Sequence, residues 1–189
     1  STEKGFNVIV LGIIGAMDIE IEGIRSLMTE KREKVISGIS FVAGKLEGCD
    51  VVTAVCGVGK VFAAICAQSM IIEYNPDAVI NTGVAGGLSP ELKIGDIAIA
   101  NNVVQFDMDT SWVGDPKGMI SGINVIYIYT DKKMTDLLAE CVRANGIGLL
   151  IGTIATGDQF VASSENKKNI IHDFSAIATE MEGAAIGQV

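Results

Sequence analysis

The chain is poor in aromatic residues, in basic groups and in histidine, and each shortage removes a class of function. Of 189 residues, 5% are Phe, Trp or Tyr, with a single Trp, and 14 Lys and Arg face 23 Asp and Glu. The formal charge of −9 argues against a nucleic-acid or anionic-membrane partner, since both require basic patches. One histidine and four cysteines (Cys49, Cys56, Cys66 and Cys141), with no CxxC spacing, form no zinc-ligand pattern. Cys56 and Cys66 lie in apolar segments where a free thiol acts as a small hydrophobe. The cysteines therefore read as reduced and structural, and the protein as cytoplasmic. No apolar run reaches the length of a membrane span. Lys4 followed by FNVIVLGIIGAM imitates a signal peptide, but no small-residue cleavage pattern follows, and a first core strand is the expectation.

What the chain has in quantity is apolar and small residues, 49% hydrophobic with 22 Gly, enough for one well-packed domain. Strand and helix signals alternate along it. A strand is predicted over Val8–Ile14, followed by a helix from Asp18 to about Met28 with Ile21, Ile24, Leu27 and Met28 on one face. Lys34–Leu46 reads as two short strands turning at Ser37-Gly38, and Val51–Cys56 as another strand. Val61–Tyr74 is a helix apolar on most sides, expected to be sandwiched inside the fold. Strands follow at Ala78–Asn81, Asp96–Gln105, Leu149–Thr156 and Ala176–Thr179, with helices at Asp131–Asn145 and Glu165–Asp173. Phe106–Gly122 is a long polar loop holding the Trp. This alternation predicts a single α/β domain over residues 1–189 with a mixed β-sheet flanked by helices.

Within that frame the run GIIGAMDIE (Gly12–Glu20) is the most informative. A buried strand breaks at Gly15-Ala16 and a helix begins with Asp18, Glu20 and Glu22 in its first turns. Helix N-termini usually favour anions such as phosphate. Here carboxylates hold that place, and no Lys or Arg follows until Arg25. Such a loop suits water or a neutral hydroxyl better than phosphate.

Two glycine clusters also follow apolar strands. GVGK (Gly57–Lys60) fits neither GxGxxG nor a Walker loop and reads as a chain turn. TGVAGG (Thr82–Gly87) sits at a strand's C-terminal end, where α/β proteins bind ligands, and reads as a site. Glu180 and Glu182 are two apart, so they cannot share a helical face but would point the same way on an extended segment. By spacing alone they are acids favouring a helix N-terminus.

GIIGAMDIE, GVGK, INTGVAGGL, KIGDI, DMDTS, GDQF and ATEMEGAAI stand in one order from Val8 to Val189. In that order the chain resembles the 5′-methylthioadenosine/S-adenosylhomocysteine nucleosidases of the purine nucleoside phosphorylase and uridine phosphorylase superfamily. The resemblance implies a nucleoside phosphorylase-like fold and hydrolysis of the N-glycosidic bond of either nucleoside to adenine and a thio-substituted ribose, with no cofactor or metal. By position, Glu20 resembles the residue that deprotonates the attacking water, and Glu182 the carboxylate holding the ribose hydroxyls with Met181 against the sugar. Phe160 resembles the adenine-stacking aromatic, and Val161 the position whose backbone reads the purine. Ala16, Met17, Val84, Ala85, Gly86 and Glu180 belong to the same implied substrate site, and Val58 resembles an apolar contact to the alkylthio group. Asp107–Val113 resembles a loop reaching the neighbouring subunit's site, which implies a homodimer.

Two departures from the family pattern bear on activity. Val84 stands where many members have Ser. The family's adenine-protonating Asp lies in a Ser-Asp pair on a strand after the EMEG helix, and residues 1–189 hold no such strand. The expectation is a C-terminally incomplete domain of low solubility and little activity alone, or one in which Asp158 protonates the base. A futalosine hydrolase or nucleoside phosphorylase, a non-catalytic nucleoside-binding module and, more distantly, a dinucleotide-binding domain are the alternative readings.

Overall fold

In the computed structural model, residues 10–189 are described; the expected strand start at Val8 lies outside them. Contacts divide the chain into two compact units, Ser1–Gly83 and Val84–Val189. The α/β class with mixed sheet and flanking helices holds, but the described strands are shared between two five-stranded sheets.

In the first unit, β1 (Val10–Gly15) pairs in parallel with β4 (Cys49–Val55) on one side and β5 (Ala78–Asn81) on the other. A strand paired on both edges and covered on both faces reads as continuously apolar, as VLGIIG does. On one face α1 (Asp18–Leu27) brings Ile21 and Ile24 against Ile13, Val42 and Val51. On the other, α2 (Lys60–Tyr74) approaches at Gly12, where an added Cβ would stand 2.5 Å from Met70 Sδ. The side chain has to be absent for the helix to lie there.

A hairpin completes this sheet. β2 (Thr29–Ile36) and β3 (Ile39–Leu46) turn at Ser37-Gly38, whose φ values of 52° and 78° are both left-handed, as a tight hairpin turn requires. β2 forms an edge, and its charged run TEKREK is exposed, which discourages pairing with another chain.

α2 is not sandwiched as its apolar sequence suggested. The helix buries Ala63, Cys66, Ala67 and Met70, yet Val61 and Ile72 are 69% and 75% exposed. Apolar residues all round a helix signal cover without saying what supplies it. Where burial is complete it has a chemical consequence: desolvation pushes the Cys66 thiol up to about 12, so it stays protonated and unreactive.

The second unit is built on three parallel strands, β7 (Ile97–Gln105), β9 (Leu149–Thr156) and β10 (Ala178–Glu180), with β9 between the others. Two short antiparallel strands close the edges, β6 (Gly86–Gly87) beside β10 and β8 (Tyr127–Tyr129) beside β7. α3 (Lys132–Ala144) and α4 (Ser164–Phe174) start on Asp131 and Ser163, whose side chains accept from the N–H groups of Met134 and Asn166. These caps satisfy donors that would otherwise be orphaned. α5 (Gly183–Gln188) follows β10 directly. Leu88, Val104, Ala155, Val161, Ile170 and Phe174 form the core of this unit, and the loop after β7 carries Trp112 on a 3-10 turn, Ser111–Val113.

Candidate active site

Glu20 sits in the first turn of α1 with its side chain folded back on the strand-to-helix turn. Its Oε2 accepts from the N–H groups of Ala16 at 2.8 Å and Met17 at 3.0 Å, while its own N–H donates to the Met17 carbonyl at 3.0 Å. Neighbouring strand ends brace the turn: Cys56 and Gly57 donate to the carbonyls of Gly15 and Ala16, at 2.9 and 3.1 Å. Beyond β5, Thr82 donates to the Ile14 carbonyl at 2.9 Å, which holds Gly83 against the acid. An added Cβ on Gly83 would lie 2.6 Å from Glu20 Oε1. These atoms gather at the C-terminal ends of parallel strands, the usual place for a ligand in an α/β sheet.

The anion position at the start of α1 is therefore filled by the protein's own carboxylate. Arg25, the first cation after the turn, is engaged elsewhere. Its Nε donates to Thr53 Oγ1 at 3.0 Å and its Nη2 to the Ser40 carbonyl at 3.1 Å. Two amides and a helix dipole that would suit a phosphate hold Glu20 in one orientation instead.

The second unit carries the other acids. Glu180, the last residue of β10, accepts through Oε2 from the N–H groups of Glu182 at 2.8 Å and Gly183 at 2.7 Å. Its Oε1 accepts from the Thr156 hydroxyl, which in turn accepts from Ala184 N–H at 2.8 Å. Glu180 thus caps α5 from outside the helix. Glu182 is the N-cap residue, with φ −134° and ψ −40°, and is only 8% exposed. The extended segment that would point both acids the same way stops before Glu182. The two carboxylates take different tasks, one holding the helix start and the other left in a buried cap position.

Other expected residues fall around these two groups. Gly86 pairs directly with Thr179 of β10, and Val84 and Ala85, both exposed, precede it in the chain. Val161 is buried in the second unit's core, whereas Phe160 is 88% exposed, and Met181 is half-buried next to Glu182. Val58 lies half-exposed between β4 and α2. Asp107 accepts from the Asp158 N–H at 2.8 Å, tying the start of the Asp107–Val113 loop to the segment after β9; the Asp158 side chain is exposed.

Gly83 belongs to the TGVAGG cluster expected at a site, although its approach to Glu20 was not foreseen; sequence reading missed Thr156, which carried no signal because its partner lies 24 residues away. Two surface clefts of about 300 and 350 Å³ involve none of the expected site residues. Among the described residues no group of three or more His, Cys, Asp or Glu side chains is placed to hold a metal ion.

Comparison with known proteins identifies the family. The family model of the phosphorylase superfamily matches residues 10–189. A 5′-methylthioadenosine/S-adenosylhomocysteine nucleosidase from Marinomonas sp. (strain MWYL1) is 36% identical over 95% of this chain and 78% of its own length. The chain belongs to that nucleosidase family within the phosphorylase superfamily. A family member from Neisseria meningitidis, in complex with methylthio-immucillin-A, superposes with a TM-score of 0.91 at 35% identity, covering 95% of this chain and 78% of the other. The family's fold is therefore the nucleoside phosphorylase-like fold expected for this chain. The futalosine hydrolase of Helicobacter pylori superposes equally well, at TM-score 0.91 and 35% identity over 96% of this chain and 78% of that one.

Proposed function

We propose that the protein hydrolyses the N-glycosidic bond of 5′-methylthioadenosine and S-adenosylhomocysteine, releasing adenine and a 5-thio-substituted ribose. The observation that carries this reading is the self-filled anion position: the Ala16 and Met17 amides hold Glu20, so the nucleophile served there is water and not phosphate. Glu20 orients that water and takes its proton, a role worth roughly 10²–10⁴ in rate, while the departing purine keeps the C–N electron pair and takes up a proton from solvent to leave as adenine. Breaking the ribosyl C–N bond builds positive charge on the sugar, which a buried carboxylate stabilises; Glu182 supplies it while accepting from the ribose hydroxyls, with Met181 against the sugar. Phe160, Val161 and Val84–Gly86 contact the base, Ala16 and Met17 line the water side, and Val58 meets the alkylthio group. Glu180 positions Glu182 through the α5 cap.

A single functional domain is supported by the unbroken family match from residue 10 to 189. A homodimer, with Asp107–Val113 near the neighbouring site, is supported by the exposed Trp112 and Val113 on that loop and by Val61 and Ile72 on α2. Free thiols, two of them exposed, support the reducing cytoplasm, where the reaction would serve methionine salvage. The likeness to a futalosine hydrolase favours a second nucleoside substrate for the same hydrolysis. Incubation with each nucleoside, with and without phosphate, tests the reading. Adenine release from methylthioadenosine at a rate indifferent to phosphate is the expected result, and strict dependence on phosphate refutes it.

A further inference from the structure

One buried polar atom near the expected base contacts has no role in the arrangement above. Thr179 is 6% exposed, and its Oγ1 is buried with no hydrogen-bond partner. A buried hydroxyl left unpaired is costly, and natural folds seldom keep one without a use.

The strand register says which face it lies on. Thr179 stands directly opposite Gly86 in the antiparallel pair and beside Ala155 in the parallel one. Side chains of paired residues share a face, and an added Cβ on Gly86 would meet Thr179 Cγ2 at 3.4 Å. Ala155 belongs to the cluster that contains Val161. Glu180, the next residue, turns to the opposite face with Thr156. The hydroxyl therefore shares its face with Gly86 and with the Val161 cluster, two of the positions assigned to the base, and is separated by the strand from the carboxylate cap.

We infer that the Thr179 hydroxyl is a base-recognition group, hydrogen-bonding the purine of the bound nucleoside. The inference rests on the proposed function and adds to it a residue for which no role has so far been given. A hydroxyl serves either polarity, donating to a ring nitrogen or accepting from an exocyclic amine. No protein group among the described residues pairs with the hydroxyl, which leaves it available to the base.

Thr179→Val, which keeps the shape and removes the hydroxyl, separates this from a structural role. The expected result is a Kd for free adenine and a KM for methylthioadenosine each raised about 3- to 10-fold, the worth of one neutral hydrogen bond. kcat stays near wild type, and the Tm of the unliganded protein is unchanged or higher. Thr179→Ser should keep adenine affinity, and Thr179→Ala should lose it by the same factor even if Val proves too stiff for the site. An unchanged adenine Kd in the Val and Ala variants overturns the inference; if it comes with a lowered Tm, the hydroxyl holds an internal water instead. A loss seen with methylthioadenosine but not with adenine moves the contact to the sugar and overturns it as well. Wild-type protein that releases adenine while the variants bind it unchanged leaves the proposed function standing and refutes only Thr179. Wild-type protein that neither binds nor releases adenine refutes both.

Discussion

The Ala16–Glu20 turn and the Thr179–Ala184 segment solve the same problem in opposite ways. Each places acids at the start of a helix after a buried strand, where free N–H groups favour negative charge. In the first, the acid proposed for chemistry is itself the partner of the turn, Glu20 accepting from Ala16 and Met17. In the second, a different acid does that work: Glu180 takes the amides of Glu182 and Gly183, and Glu182 stays in the cap position, buried. The contrast predicts that the two sites tolerate change differently. With the proposed roles, orientation and reactivity reside in one side chain at the first and in two at the second.

The sharpest break comes at the first turn. Glu20→Gln keeps an acceptor oxygen for the Ala16 and Met17 amides but cannot take a proton, so kcat should fall by about 10²–10⁴ with KM for methylthioadenosine within a few-fold; steady-state adenine release measures both. Next is Gly83→Ala, whose Cβ would crowd Glu20 Oε1 at 2.6 Å. A misplaced catalytic group costs up to about 10²-fold, and this variant should lose kcat while keeping its Tm.

At the second segment the effects should be smaller and should separate by residue. Glu182→Gln weakens a charge-assisted bond worth about 1.5–3 kcal/mol, and the variant should discriminate poorly between ribosyl and 2′- or 3′-deoxyribosyl substrates. Discrimination equal to wild type would assign the hydroxyls to another residue. Thr156→Val removes a donor to Glu180 and an acceptor for Ala184 and should cost about 1–3 kcal/mol of stability, read as a lower Tm. Sugar discrimination should change less than in Glu182→Gln. If Thr156→Val affects catalysis more than stability, the division of labour between Glu180 and Glu182 is wrong.

Much of this arrangement was legible in the sequence, for physical reasons that also mark where reading stops. β9 was readable end to end as Leu149–Thr156, because its apolar run is bounded by glycines, and the Ser37-Gly38 turn because its residue types suit left-handed φ. β6 was not readable: Gly86-Gly87 has no side chains to show an alternation. β8, three residues after a long loop, is too short to show one. The exposed side of α2 escaped because hydrophobicity reports the need for cover and not its source.

At the site, the carboxylates themselves were readable, and their supports were not. Glu20 stood out by lacking basic neighbours. By spacing alone Glu180 and Glu182 read as acids favouring a helix N-terminus, and both stand at the start of α5; the spacing does not show Thr156 arriving from another strand to fix Glu180. Local pattern cannot carry a hydrogen bond between distant residues.

Water oriented by Glu20 is the proposed nucleophile, in place of phosphate. Turnover of methylthioadenosine in ¹⁸O-water with phosphate present tests it most directly, by mass analysis of the sugar product. One ¹⁸O in the thio-substituted ribose and no sugar phosphate are expected, with label incorporation lost in Glu20→Gln. A phosphorylated sugar without ¹⁸O would contradict it.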